Sequence, residues 1–188
     1  MAIPKKVINF LEKGKVKYEA IGHRTVYTAF DKAKTLKISE KMVGKTLVLK
    51  MNPVGSRRLS FGASGKLAVV LIPANKKLDK GKIKKFVKTK KIEFASERLI
   101  KNKLKARLPR YAKHCGQGVK VGAIPPFGLQ PAHHPTRKIL TFIDKSLLKN
   151  PKIIVNGGNY NFSIKISSNQ LKKILPDAIF GNFSEKKK

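Results

Sequence analysis

LAVVLIPANKKLD, residues 67–79, is the stretch from which the rest of the chain is read. Leu67 to Ile72 run apolar without a polar break and stop at Pro73. A surface strand would alternate apolar with polar, so an unbroken, β-branched run reads as a strand covered on both faces. Asp79 then offers a cap for a helix in which Ile83, Phe86 and Val87 share one face and lysines the other. Upstream, KTLVLKM (45–51) reads as a second such strand. The glycine-containing, turn-prone segment 52–65 separates the two and has room for a short third strand.

Working outward, Pro4 to Gly14 reads as a helix with proline at its start, Val7, Ile8, Phe10 and Leu11 on helical spacing, and glycine as its stop. VKYEAI (16–21) alternates as a strand. Thr28, with Asp31 three residues on, caps a helix through Leu36, and Ser96 with Glu97 opens another. KILTFI (138–143), KIIVN (152–156) and NFSIKI (161–166) read as strands, the last two joined by a tight turn at Gly157 and Gly158. Ser167 caps a final helix with Leu171, Ile174 and Leu175 inward, and Glu185 to Lys188 read as a frayed tail. Strands and helices alternate irregularly, which favours an α+β domain with a mixed sheet under helices over a doubly wound parallel sheet.

The 43 Lys and Arg against 10 Asp and Glu give a formal charge of +33 on 188 residues. Such a surface attracts polyanions through counterion release, a salt-sensitive attraction that is largely blind to sequence. A general basic bias gives the same composition. No apolar run reaches the ~20 residues that span a bilayer, and MAIPKKVINF lacks the pattern of a secretory signal, so no membrane partner and a cytoplasmic location are expected. Cys115 is the only cysteine, which rules out an intrachain disulfide and a zinc-binding cysteine pair; it reads as a free thiol, with His114 beside it.

The motifs of phosphate loops, dinucleotide folds and metalloproteases are absent, and the scattered carboxylates argue against a two-acid hydrolytic pair. His133 and His134 sit between prolines that hold the chain extended and splay their side chains, a poor metal site. Gly122-Ala-Ile-Pro-Pro-Phe-Gly128 is a stiff apolar loop with glycine at each end. It suits backbone recognition of a ligand, but local sequence slightly favours a rigid turn between core elements. Lys45, at a strand end, can reach a phosphate from a rigid base; it also reads as one more surface lysine. His23 reads as a structural, hydrogen-bonded residue.

In order along the chain, His23-Arg-Thr-Val-Tyr-Thr-Ala29, Lys45-Thr-Leu-Val-Leu-Lys50, LAVVLIPANKKLD (67–79), ASERL (95–99), VGAIPPFG (121–128), FID (142–144) and IIVNGGNYNFSIKIS (153–167) resemble the YbaK/prolyl-tRNA synthetase-associated editing domains. The resemblance covers roughly residues 1 to 176. It implies a single α+β domain over 1–180 with a mixed, mostly antiparallel central sheet, partly barrel-like and covered by helices, then a basic tail over 181–188. It also implies a trans-acting aminoacyl-tRNA deacylase that removes a wrong amino acid, such as alanine or cysteine on the transfer RNA for proline. A pocket sized for proline rejects a smaller side chain by only ~1–3 kcal/mol, hence a second, hydrolytic sieve.

By the same resemblance Lys45 would hold the phosphate of the terminal adenosine and Gly122 would polarise the ester carbonyl, the ribose hydroxyl helping to activate water. His23, Tyr27, Thr28, Ala123, Pro126, Phe127, Asp144 and Gly157 would line the substrate site, with amino-acid selectivity drawn from residues 27–34 and the surroundings of Asp144. No cofactor or metal is implied; the partners are transfer RNA and an aminoacyl-tRNA synthetase. Lys120 stands where members with this loop often carry an acidic residue, the connection from Gly128 to Phe142 is long, and 101–117 is unusually basic. These departures bear on substrate identity. A non-catalytic tRNA-binding member, or a basic structural protein of the ribosome or nucleoid, are the alternative readings.

Overall fold

Pairing gives the 67–73 run its central place in the computed structural model, which describes residues 3–53, 67–100, 122–127 and 139–186. The third strand expected within 52–65 falls on residues 54–66, outside the described residues. So do the basic stretch 101–121, with His114, Cys115 and Lys120, and the stretch 128–138, with His133 and His134. The elements are α1 (Lys5–Lys13), β1 (Tyr18–Gly22), α2 (Ala29–Thr35), β2 (Gly44–Pro53), β3 (Leu67–Pro73), β4 (Lys76–Leu78), α3 (Lys80–Val87), β5 (Thr89–Phe94) and α4 (described over 97–100). They continue with β6 (Leu140–Asp144), β7 (Lys152–Asn156), β8 (Phe162–Ser167), α5 (Ser168–Ile174), β9 (Ile179–Gly181) and β10 (Ser184–Lys186).

β3 is buried at all seven positions because it has a strand on each side and packing on each face. The order is β5-β2-β3-β6-β9, antiparallel through β3 and parallel from β3 to β9. A second, antiparallel sheet has the order β1-β8-β7, and β4 pairs with β10 as a small third. The fold is therefore α+β with mostly antiparallel pairing. The barrel-like closure expected of it is absent among the described residues: the strands divide among three sheets, and none closes on itself.

The two larger sheets meet along one seam. Val43, just before β2, forms a parallel bridge with Ile154 of β7. At the next position the chains nearly touch: a Cβ on Gly44 would lie 3.3 Å from Val155 Cγ1 and 2.9 Å from Leu71 Cδ1. Only glycine lets the strands approach this closely. Below the seam, Leu11, Leu71, Ile143, Leu147, Ile153, Ile164 and Leu171 form the main core between the sheets, α1 and α5. On the far side of the large sheet, Leu49, Val70, Ile72, Ile83 and Phe142 pack with α3.

Local cap chemistry accounts for the helix starts. Thr28, Asp79 and Ser167 accept the backbone N–H of Asp31, Lys82 and Gln170 respectively, and Ser96 accepts that of Leu99. Three expectations change. Phe86, expected inward with Ile83 and Val87, is 57% exposed and only edges onto Phe142 and Phe183. Residues 185–186, expected to fray, pair with Lys76 and Lys77 as part of β10. The turn expected at Gly157 and Gly158 is a longer connection, 157–161, in which Gly158 alone has a left-handed φ, +91°.

Candidate active site

Three loops meet above the seam, each tied to the next by its backbone. After β1, His23 N–H and Val26 N–H donate to the carbonyls of Asn161 and Tyr160, at 3.0 Å each. These belong to the β7–β8 connection, whose Gly158 N–H donates to the Ala123 carbonyl at 3.0 Å. The 122–127 loop is thereby docked on the small sheet. Its apolar residues Ala123, Ile124, Pro125, Pro126 and Phe127 are buried, Phe127 stacking on Phe10 at 5.9 Å, while Gly122 stays exposed with φ +88°. The rigid turn and the recognition loop weighed for this segment are thus compatible: its body is packed and its glycine end is open.

Asn156, at the end of β7, holds this loop from the side. Its Nδ2 donates to the Ile124 carbonyl at 3.2 Å and the Gly122 carbonyl at 3.4 Å. Its Oδ1 accepts from Lys32 Nζ at 2.5 Å. Lys32 lies on α2 and is only 5% exposed. Burial pushes its ammonium down to about 8. Neither residue was singled out from sequence, although Lys32 falls on the helical face marked by Ala29, Ala33 and Leu36, and within the 27–34 stretch offered for selectivity.

Lys45 enters the same neighbourhood through the seam. It follows Val43 by two residues as Asn156 follows Ile154, and Val43 and Ile154 are joined by a single parallel bridge. Its side chain is half-buried and its Nζ donates to the Lys76 carbonyl at 2.5 Å, which steadies the ammonium at the end of the large sheet. His23 is hydrogen-bonded at both ring nitrogens: Nδ1 donates to the Arg24 carbonyl and Nε2 accepts from the Ser163 hydroxyl, both at 2.8 Å. Burial holds its pKa below the ordinary value; the Arg24 bond opposes this and the nearby Lys32 charge adds to it. Neutral His23 therefore fits a positioning role better than that of a cation.

Tyr27 is 70% exposed, with its ring 4.9 Å from that of Tyr160, and Tyr160 in turn flanks Gly122, where a Cβ would come within 3.4 Å of it. An open aromatic pair thus borders the glycine. Thr28 is occupied as the α2 cap, donating to Asp31 Oδ2 at 2.6 Å while its Oγ1 accepts from Asp31 N–H. Gly157 is buried against the Phe162 backbone, a structural position. Asp144 departs most from expectation. It is 1% exposed, and its carboxylate accepts from Ser146, the Phe183 N–H and the Ser184 hydroxyl. Both oxygens are spent inside the protein. Among the described residues no cluster of three His, Cys, Asp or Glu is arranged to hold a metal ion.

The profile of the aminoacyl-tRNA editing domain matches residues 23–174, most of the chain. The chain belongs to the aminoacyl-tRNA editing domain family. Solved structures of the same fold include a hypothetical protein, at 20% identity and a TM-score of 0.73, covering 96% of this chain and 99% of that one. Another, described as a candidate trans-editing enzyme for prolyl tRNA synthetase, has 18% identity and a TM-score of 0.69, covering 96% of each chain. At such identities these likenesses establish the fold alone.

The buried charge of this editing domain has a thermodynamic signature. Lowering the Lys32 pKa from 10.5 to about 8 costs the folded state on the order of 3 kcal/mol below pH 8. Unfolded, Lys32 keeps its proton up to about pH 10.5, so between pH 8 and 10.5 the unfolded chain binds more protons and stability rises with pH. Lys32→Met removes the charge at similar volume and orphans Asn156 Oδ1, worth about 1 kcal/mol. The variant should be more stable by about 2 kcal/mol at pH 7 in urea unfolding, the gap closing toward pH 10.

Proposed function

We propose that this editing domain hydrolyses the ester between an amino acid and the terminal ribose of a mischarged transfer RNA, acting in trans. The reading is supported by the seam: the Val43–Ile154 bridge brings together the strand that carries Lys45 two residues on and the strand that carries Asn156 two residues on, and Asn156 holds the Gly122 loop. A cation on a rigid strand beside backbone groups held by a side-chain amide suits a phosphoester joined to an acyl ester. Lys45 holds the phosphate of the terminal nucleotide. Backbone donors at Gly122 polarise the acyl carbonyl, so water adds to the carbonyl carbon and the ribose oxygen leaves. The vicinal ribose hydroxyl helps activate the water, and a free amino acid and a free ribose hydroxyl result. Catalysis is then mostly positioning and electrostatics and assigns no step to a metal or a protein nucleophile.

The open Tyr27–Tyr160 pair offers aromatic faces for the terminal base, and base stacking is worth ~1–3 kcal/mol. The charge of +33 supplies salt-sensitive attraction for the rest of the tRNA. Alanyl- and cysteinyl-tRNA for proline, the substrates implied by the sequence resemblance, are the first to test. Incubation with a panel of mischarged tRNAs, following release of each amino acid, tests this. Release from at least one, faster than spontaneous hydrolysis, is expected. If every tRNA binds and none is deacylated, the protein is a tRNA-binding member of the family without the reaction.

A further inference from the structure

Position 32 faces the protein interior, where leucine or methionine would serve α2 better than an ammonium. Among the described residues the Lys32 ammonium meets one hydrogen-bond acceptor, Asn156 Oδ1. A lysine has donors only, so it settles which way the Asn156 amide points. With Oδ1 turned to Lys32, Nδ2 must face the loop, where it meets the carbonyls of Gly122 and Ile124. Flipped, the same amide would set its oxygen against two carbonyl oxygens.

The direction of those carbonyls matters for chemistry. The described peptide bonds are trans, so each C=O points opposite to the next residue's N–H. Fixing the Gly122 carbonyl on Asn156 aims the Ala123 N–H the other way. The bond from Gly158 N–H to the Ala123 carbonyl does the same for the Ile124 N–H. Lys32, Asn156 and the loop backbone thus form one chain of directed hydrogen bonds, from a buried charge to the exposed glycine.

We infer that Lys32 is a positioning residue that, through Asn156, sets the orientation of the Gly122–Phe127 backbone for the ester; its catalytic half rests on the deacylase reading above. Charged Lys32 is the form that orients the amide, which fits an ammonium still mostly protonated at neutral pH. His23 is the neighbouring titratable group, and its neutral form adds no competing charge.

The test compares Lys32→Met, Asn156→Asp and the double variant. Asn156→Asp keeps an acceptor for Lys32 and removes the donor to the loop. Amide hydrogen exchange at Ala123, Ile124 and Phe127 is read by NMR, with Leu71 as the core reference. Single-turnover release from a mischarged tRNA that the wild type deacylates is measured alongside. Exchange in the loop is expected to quicken at least tenfold in each single variant while that of Leu71 does not quicken. The release rate should fall roughly 10- to 100-fold with tRNA affinity within twofold, and the double variant should lose no more than the worse single one. Unchanged loop exchange in Lys32→Met, an unchanged release rate, or losses that multiply in the double variant would overturn the inference. A wild type that releases nothing sinks the deacylase reading alone, since the exchange measurement still decides whether Lys32 orders the loop.

Discussion

Lys45→Ala should lower the second-order rate of ester release by roughly 10- to 150-fold while leaving the protein folded. A charge-assisted hydrogen bond is worth about 1.5–3 kcal/mol, and each 1.4 kcal/mol is tenfold in rate. Position 45 lies within β2, opposite Ile72, where alanine is tolerated, and the side chain lost is half-buried rather than part of the core. The deficit should appear in both binding of the tRNA end and turnover, because the phosphate contact also places the ester beside Gly122. Arginine should restore binding more than rate: its longer, planar head does not fit the cradle that brings Nζ to the Lys76 carbonyl. Quenched-flow release with the wild type, Lys45→Ala and Lys45→Arg measures all three effects.

Asp144→Ala carries the largest expected stability loss, about 3–5 kcal/mol. The carboxylate ends β6 and gathers donors from Ser146 on one side and from Phe183 and Ser184 on the other, at 2.7–2.9 Å for three of the four bonds. It thereby fastens the segment between β9 and β10 to the central sheet. Without it, two backbone N–H groups and two hydroxyls lose their acceptor in the interior. Burial alone would raise the Asp144 pKa, but the bonds from Ser146 and Ser184 outweigh it and hold the group below its ordinary value. The sign follows: this stabilisation is present above the ordinary carboxylate range and is lost as pH falls through the lowered folded-state value. Thermal unfolding of the wild type and Asp144→Ala at neutral pH measures the loss, and a drop under 1 kcal/mol would refute a structural role.

Asp144 also marks where sequence reasoning ran out. Its place in FID before Ser146 resembles a family motif, yet the motif there serves the fold: the donors from 183 and 184 arrive from distant chain that no local pattern announces. The unbroken apolar run of β3 and the caps at Thr28, Asp79, Ser96 and Ser167 were readable because each depends on neighbours within a few residues. The strands β4, β5 and β10, which carry lysines, and the three-residue β9 were not, since partners across the sheet define them rather than their own composition. Lys32 was hidden by a sound prior, that a lysine in so basic a chain is solvated. Helical spacing from Ala29 and Ala33 was the signal against that prior. Gly122, Ala123, Pro126 and Phe127 were located through the resemblance, and the geometry adds what a motif cannot give: which carbonyls are held, and by what.

The measurement closest to the central claim is the time course of amino-acid release from alanyl- and cysteinyl-tRNA for proline, protein in excess, at matched tRNA occupancy for wild type and Lys45→Ala. Release by the wild type well above spontaneous hydrolysis, slowed at least tenfold in Lys45→Ala, is the predicted result. Equal rates for the two proteins, or bound tRNA whose ester decays no faster than in buffer, would contradict an ester-handling site built from Lys45 and the Gly122 loop.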